Sequence, residues 1–150
     1  MPNRKVHTVV GCGAGGTAAY LLASDQEPAH QLLEVIGGVL AGGWGGRLPD
    51  ILEPAIHPRH RSVAHALGPA NAAGSIVVPR LRAGQNHTRG WAEQCRSHRE
   101  GTSNLIEQIL WWLAEMGCRL AAGAMGGSVA GYVSHLLMDA TTPMGLPLIA

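Results

Sequence analysis

The N-terminal part of the chain has a helical pattern of apolar and small residues. Residues 6–24 contain no formally charged side chain, and one face of the expected helix collects His7, Val10, Ala14, Thr17, Ala18 and Leu21 at spacings of three and four. Residues 28–43 repeat this periodicity after Pro28, a residue that favours a helix start. The six glycines between residues 37 and 46 predict that the chain then leaves the helix and turns.

The C-terminal part predicts two further helices. Residues 103–117 are amphipathic, because one face carries Leu105, Ile109, Trp112 and Met116. A second helix is expected from Leu120 to Asp139, and Pro143 would close it. Its glycines mark places where another backbone can come close. We therefore expect this helix to lie beside the one that begins near His7, with the glycine-rich faces in contact.

The middle of the chain predicts little regular structure. Residues 63–73 fit a short helix, residues 75–78 are an isolated β-branched run, and residues 80–99 fit a polar loop or exposed helix that borders the site. One strand cannot make a sheet. The fold class is therefore all-α, a compact helical bundle rich in Gly and Ala, and the 150 residues form a single domain, 1–150.

Composition restricts the partners and the compartment. A formal charge of +1 with one lysine argues against nucleic acid, because phosphate contacts need many Lys and Arg. Three widely spaced cysteines predict neither disulfides nor a thiolate zinc site. Two uncharged runs, 6–24 and 120–138, are long enough to span a bilayer, but both are diluted by small residues and contain a histidine. We expect buried helices in a cytoplasmic protein, and contact with the inner membrane stays open.

A dinucleotide-binding fold is the rival interpretation. The segment Gly11–Gly16 matches G-x-G-x-x-G after an apolar run, and Glu34 lies at the distance expected for a ribose-binding acid. A fold of that class needs several alternating strands and helices, and no second strand-turn-helix pattern follows. The helical interpretation is therefore favoured.

A polar stretch at residues 48–65 concentrates groups that bind metals. It contains His57, His60, His65, Asp50, Glu53, Arg59 and Arg61. Imidazole and carboxylate are ligands for zinc, manganese and iron. Far along the chain, His135 and Asp139 are four residues apart on one helical face. That pair can chelate a metal, or Asp139 can orient His135.

These motifs resemble a known family in their order along the chain. An early His7 precedes Gly46-Arg47-Leu48-Pro49-Asp50, then His60-Arg61-Ser62-Val63-Ala64-His65, then His135-Leu136-Leu137-Met138-Asp139 with Thr142-Pro143-Met144-Gly145-Leu146-Pro147. This order is similar to that of the YdjM-like family of LexA-binding, inner-membrane-associated, metal-dependent hydrolases. Leu52 stands where many members carry a second aspartate, and Ala66 stands where serine is common.

The motifs and the resemblance together predict a divalent-metal site, with zinc first and manganese or iron as alternatives. The predicted ligands are His7, Asp50, His60, His65, His135 and Asp139. A hydrolase would use Glu53 as the base and Arg61 to hold an anionic oxygen, which favours a small-molecule or lipid phosphoester as substrate. The alternative is a non-catalytic helical protein, clamped by metal, that assembles with itself or with a membrane.

Overall fold

A computed structural model describes residues 4–52 and 67–141, with the side chains of residues 4–52 and 74–141. Its five helices are α1 (Arg4–Leu22), α2 (Pro28–Gly45), α3 (Leu48–Leu52), α4 (Leu67–Gly101) and α5 (Leu105–Ala140). The described residues contain no strand, so the predicted all-α class is confirmed. The dinucleotide alternative is wrong, because Gly11–Gly16 lies inside α1 and not in a loop between a strand and a helix.

Local chemistry explains where two of the helices begin. Pro28 occupies the first turn of α2, where its missing N–H is not needed. Asn104 caps α5, because its side-chain oxygen accepts a hydrogen bond from the N–H of Ile106 at 3.0 Å. At the other end of α5, the hydroxyl of Thr141 donates to the carbonyl of Met138 at 2.7 Å.

Helices α4 and α5 are longer than the sequence pattern predicts. Residues 105–140 form one continuous helix, and residues 67–101 form another that runs through Pro79. The expected breaks at residues 74–80 and 118–119 are therefore wrong. Residues such as Pro79 that would interrupt an isolated helix do not do so here, because most helical stability in a protein comes from packing a helix face against its neighbours. Here α4 packs along α5.

The glycines of α2 lie in the interior, against the backbones of α1 and α5. A Cβ built on Gly42 would lie 2.7 Å from the Cα of Gly15 in α1, and one on Gly37 would lie 2.8 Å from the carbonyl carbon of Leu120 in α5. The helix ends at Gly45, close to the predicted end at residue 43, and a turn follows as predicted, but the packing of its glycines against two neighbouring helices was not predicted. These glycines allow two neighbouring backbones to approach where any side chain would keep them apart.

These contacts repeat once per helical turn and form layers across α1, α2 and α5. The pairs between α2 and α5 are Glu34 with Gly123, Gly38 with Gly127, and Gly42 with Gly131. Helix α1 adds Gly15 beside Gly38, and Gly11 beside Gly42. Helix α2 is therefore parallel to α5 and antiparallel to α1. Helices α1 and α5 are in contact as predicted, but their glycine faces meet mainly α2.

The interior contains few large apolar side chains. The buried apolar residues are Ala19, Ala23, Ala92, Ala122 and Leu136, while many Leu, Ile, Val and Trp side chains are exposed. The largest fully buried side chains are Arg119, His135, Glu34, Asp139 and Pro49. Among the described helices, none is long and apolar enough to cross a membrane.

An ionic cluster joins the helices at one end of the bundle. Arg89 of α4 donates two hydrogen bonds to the buried carboxylate of Glu34, at 2.9 and 2.7 Å, and one to the carbonyl of Leu22 at 2.8 Å. At the surface nearby, Arg96 holds the pKa of Glu27 below its ordinary value through a hydrogen bond. The cluster ties α4 to α1 and α2.

The layered packing predicts that alanine substitution at two glycines of α5 has opposite effects on stability. A Cβ on Gly127 would lie 2.8 Å from the carbonyl carbon of Gly38, whereas one on Gly117 would meet nothing within 4 Å. We expect Gly127→Ala to lower the free energy of unfolding by about 2–3 kcal/mol, because backbone must move. Gly117→Ala should raise it by roughly 0.5–1 kcal/mol. Urea denaturation followed by circular dichroism measures both, and equal effects would contradict the layered packing.

The ionic cluster yields a second prediction. Glu34→Gln removes the charge that neutralises Arg89, so the free energy of unfolding should fall by roughly 3–5 kcal/mol. The matched control is Glu27→Gln, whose side chain is 61% exposed beside Arg96 and should change stability little. Thermal melting of the two variants gives the comparison. A Glu34→Gln protein as stable as Glu27→Gln would show that the buried pair does not hold α4.

Candidate metal centre

Three predicted ligands converge at the end of the bundle opposite the ionic cluster. His7 lies in the first turn of α1, and His135 and Asp139 lie in the last two turns of α5. Because α1 and α5 are antiparallel, these helix ends meet. One donor atom from each of the three residues lies within 4.8 Å of the others, and all three side chains are buried. Sequence spacing alone identified the pair on α5, and the bundle adds His7.

The two imidazoles face the same carboxylate. Nε2 of His7 is 3.9 Å from Oδ1 of Asp139, and Nε2 of His135 is 3.5 Å from Oδ2. Asp50 of α3 lies on the other side, with its Oδ1 3.7 Å from Nε2 of His135. The two rings stack with centroids 4.0 Å apart. Asp50 therefore lies beside His135 but outside the group of three residues whose donor atoms converge.

A backbone carbonyl determines the tautomer of His135. Its Nδ1 lies 2.8 Å from the carbonyl oxygen of Gly46, and a carbonyl can only accept, so Nδ1 carries the proton. Nε2 therefore turns toward the carboxylates of Asp50 and Asp139. Metal-binding histidines typically donate their other N–H to a carbonyl or carboxylate in this way, which fixes the ring and raises its basicity.

The donor set consists of the ligand types that bind divalent ions, two imidazoles and one buried carboxylate. A metal ion among these side chains would contact His7 and His135 at the same time. Zinc bonds of ~2.1 Å at tetrahedral angles place ligand atoms about 3.4 Å apart. The observed 3.5 and 3.9 Å separations end on different oxygens of Asp139, and one donor atom from each of the three residues lies within 4.8 Å of the others, so an ion would draw the side chains closer together.

The end of α2 and the short helix α3 lie beside the donor group. Gly46 caps the C-terminus of α2, and the following short helix α3 holds a buried Pro49 and the adjacent Asp50. The side chain of Asp50 is 23% exposed, whereas that of Asp139 is 2% exposed. Asp50 is therefore the most exposed of the four side chains at this end of the bundle.

The remaining predicted site residues have two different outcomes. His60, His65, Glu53 and Arg61 lie outside the described residues, so their roles stay predictions. The arginines of α4 were expected to border the site, and for Arg89 and Arg99 this was wrong. They pair with Glu34 and Glu115, and Glu115 lies 20 residues before His135, or about 30 Å along α5 at ~1.5 Å per residue.

Sequence analysis missed one participant, the carbonyl of Gly46. A backbone oxygen carries no residue-type signature, and the glycine itself was interpreted as part of a turn. The available clue was the spacing: Gly46 follows Gly42 by four residues, as His135 follows Gly131. The glycine layers therefore continue into the metal centre.

Metal binding should depend on His135 and not on histidines elsewhere. We expect the protein to take up zinc at the centre, and free zinc at ~100 times its Kd to raise the free energy of unfolding by about 2.7 kcal/mol. His135→Ala should weaken zinc binding by roughly a hundredfold or more. His87→Ala is the control, because His87 is exposed on α4 beside Trp91. Equal zinc affinity in both variants, measured by competition with a chelator, would exclude this centre.

Comparison of the chain with protein-family models, with curated proteins and with solved structures finds no match. The resemblance to the YdjM-like hydrolases, which rests on the motifs, therefore stays a prediction. What the structure itself adds is a buried group of two histidines and one aspartate that could hold a metal ion.

Proposed function

We propose that the protein is a metal-dependent hydrolase that cleaves a phosphoester with a metal-activated water. One observation carries the proposal: three buried donors, His7, His135 and Asp139, lie beside a second carboxylate, that of Asp50, whose side chain is partly exposed. Catalytic zinc sites typically combine three protein ligands with one open position, whereas structural sites are closed by four. The partial exposure of Asp50 supports an open position on the side of α3.

The chemistry divides between the metal and the chain. A bound divalent ion lowers the pKa of a water molecule to about 7 and so supplies a nucleophile at neutral pH. In the hydrolysis a bond forms between the water oxygen and phosphorus, the phosphorus–oxygen bond to the alcohol breaks, and a proton is transferred to the departing alcohol. Gly46 keeps the ring of His135 oriented, and Asp139 provides negative charge between the two imidazoles.

Two further residues complete the proposal. Glu53 follows Asp50 by three positions, immediately after α3, and is the proposed base for the water proton. Arg61 is proposed to hold an anionic phosphate oxygen, because a guanidinium group can bind two oxygens at once. His60 and His65 remain proposed ligands from the same segment. A small-molecule or lipid phosphoester suits this combination of metal, base and guanidinium.

A metal clamp is the second candidate function. His7 lies at the start of α1 and His135 near the end of α5, so one ion would join the first and last of the described helices. A metal that binds only the folded chain adds its binding free energy to the fold. Under this alternative the protein would assemble with itself or with a membrane and would turn over no substrate.

Glu53→Gln separates catalysis from clamping. The glutamine keeps the shape and a neutral oxygen but cannot accept a proton, so metal content and melting temperature should stay near wild type. Turnover of a phosphoester panel should fall by roughly a hundredfold or more. His135→Ala should instead lose metal, stability and turnover together.

The matched control for the carboxylate is Glu100→Gln, which removes only an exposed partner of Arg96. Its turnover should equal that of the wild type. If Glu53→Gln loses metal and stability together, Glu53 is a ligand and not a base. If fully metal-loaded wild type hydrolyses no phosphoester while His135→Ala still loses stability, the clamp replaces the hydrolase.

A further inference from the structure

An apolar cavity lies beside the metal centre. It occupies about 620 Å³ between α2, α3, α4 and α5, within the ~300–1,000 Å³ typical of ligand pockets. Its lining includes Trp44, Leu48, Val77, Val129, Tyr132 and Leu136. Among the residues that the structure describes, none that lines this cavity is charged. It arises because the backbone of α4 packs closely only on α5 among the described helices, which leaves a groove between α4 and α2.

Three lining residues of the cavity are close neighbours, along the chain, of residues at the candidate metal centre. Leu136 follows His135, and Gly45 precedes Gly46, whose carbonyl orients that histidine. Leu48 lies two residues before Asp50 on the same short helix. The cavity therefore lies near the donor group, within a few residues of it on α2, α3 and α5.

A second apolar cavity, of about 430 Å³, lies on the other side of α4, against α1. Its lining includes the charged Arg82 and the amide of Gln85, and it does not reach α3. The larger cavity borders α3, the short helix that carries the partly exposed Asp50. An occupant that must reach both the metal and an apolar space therefore fits the larger cavity.

We propose that the larger cavity binds the hydrocarbon chain of the substrate, which is then an amphiphilic phosphoester of a long-chain alcohol or an acylated one. This inference rests on the proposed hydrolase function and names its substrate class. The phosphate lies at the metal centre, and the chain lies between Trp44 and Leu48 at one side and Val77 of α4 at the other. Burial of the chain supplies affinity in proportion to its length.

The test uses alkyl phosphonates, whose phosphorus–carbon bond cannot be hydrolysed. Butyl-, octyl- and dodecylphosphonate are titrated into the zinc-loaded protein by calorimetry, below the concentration at which they form micelles. Octylphosphonate should bind about two orders of magnitude more tightly than butylphosphonate, because four more methylene groups are buried. Equal affinity along the series would overturn the proposal without the use of any variant.

The variant Val77→Trp tests whether the rise in affinity with alkyl chain length arises from binding in this cavity. Val77 lines only the larger cavity and is half exposed, so a larger side chain there fills the groove with little strain on the bundle. We expect octylphosphonate to lose most of its advantage in this variant. The matched control is Ile76→Trp, because Ile76 is exposed on the same helix and lines neither cavity. Leu48→Trp, on α3, provides a second filling variant if Val77→Trp is unstable.

Three results distinguish this inference from the function on which it rests. If Val77→Trp and Leu48→Trp keep the full advantage of octylphosphonate, the chain binds elsewhere and the inference fails. If zinc-free protein keeps an advantage that Val77→Trp removes, the chain site stands even where no hydrolysis is found. If short esters are hydrolysed while affinity is independent of chain length, the hydrolase stands and the inference fails.

Discussion

Contact between the backbones of three helices is the constraint on which the rest of this molecule depends. Helix α2 inserts glycine between α1 and α5 at two successive layers, Gly15–Gly38–Gly127 and Gly11–Gly42–Gly131. One turn further, the same register brings together His7, Gly46 and His135. The metal centre is therefore the next layer of the glycine packing. In this layer, unlike the two glycine layers, imidazoles occupy two of the three positions. They meet because the glycine layers hold the three backbones close together.

Close packing also explains why the interior is polar at its ends. Glycine and alanine bury little apolar surface, so the hydrophobic contribution per residue is small. The large side chains that the layers do bury are polar: Glu34 opposite Gly123 at one end, and His135 at the other. Glu34 is neutralised by Arg89. The bundle is thus held by small-residue contacts in the middle and by an ion pair at the end with Glu34.

The sequence predicted the all-α class and three of the residues that meet at one end of the bundle, but not how its helices pack. His135 and Asp139 could be paired from their four-residue spacing, because a helix places such residues on one face. His7 was recognised as the first residue of a helical face. The close packing of the α2 glycines was not predicted, since a run such as Gly42-Gly43 weakens an isolated helix and only partner helices make it stable. Whether Pro79 ends a helix likewise depends on packing against α5, which no local pattern contains.

The two polar ends of the bundle differ in how their charge is neutralised, and this difference favours a function at only one of them. At the end with Glu34, a guanidinium group from the chain makes two short hydrogen bonds to the carboxylate, and the arrangement is complete in itself. At the other end, carboxylates face imidazoles, which supply positive charge only by taking up a proton or a metal ion. That end also includes a partly exposed Asp50 and an apolar cavity along its wall. A buried group of two histidines and an aspartate that could hold a metal ion, a partly exposed carboxylate and an apolar cavity nearby are features of a binding site, whereas an arginine–glutamate ion pair stabilises a fold.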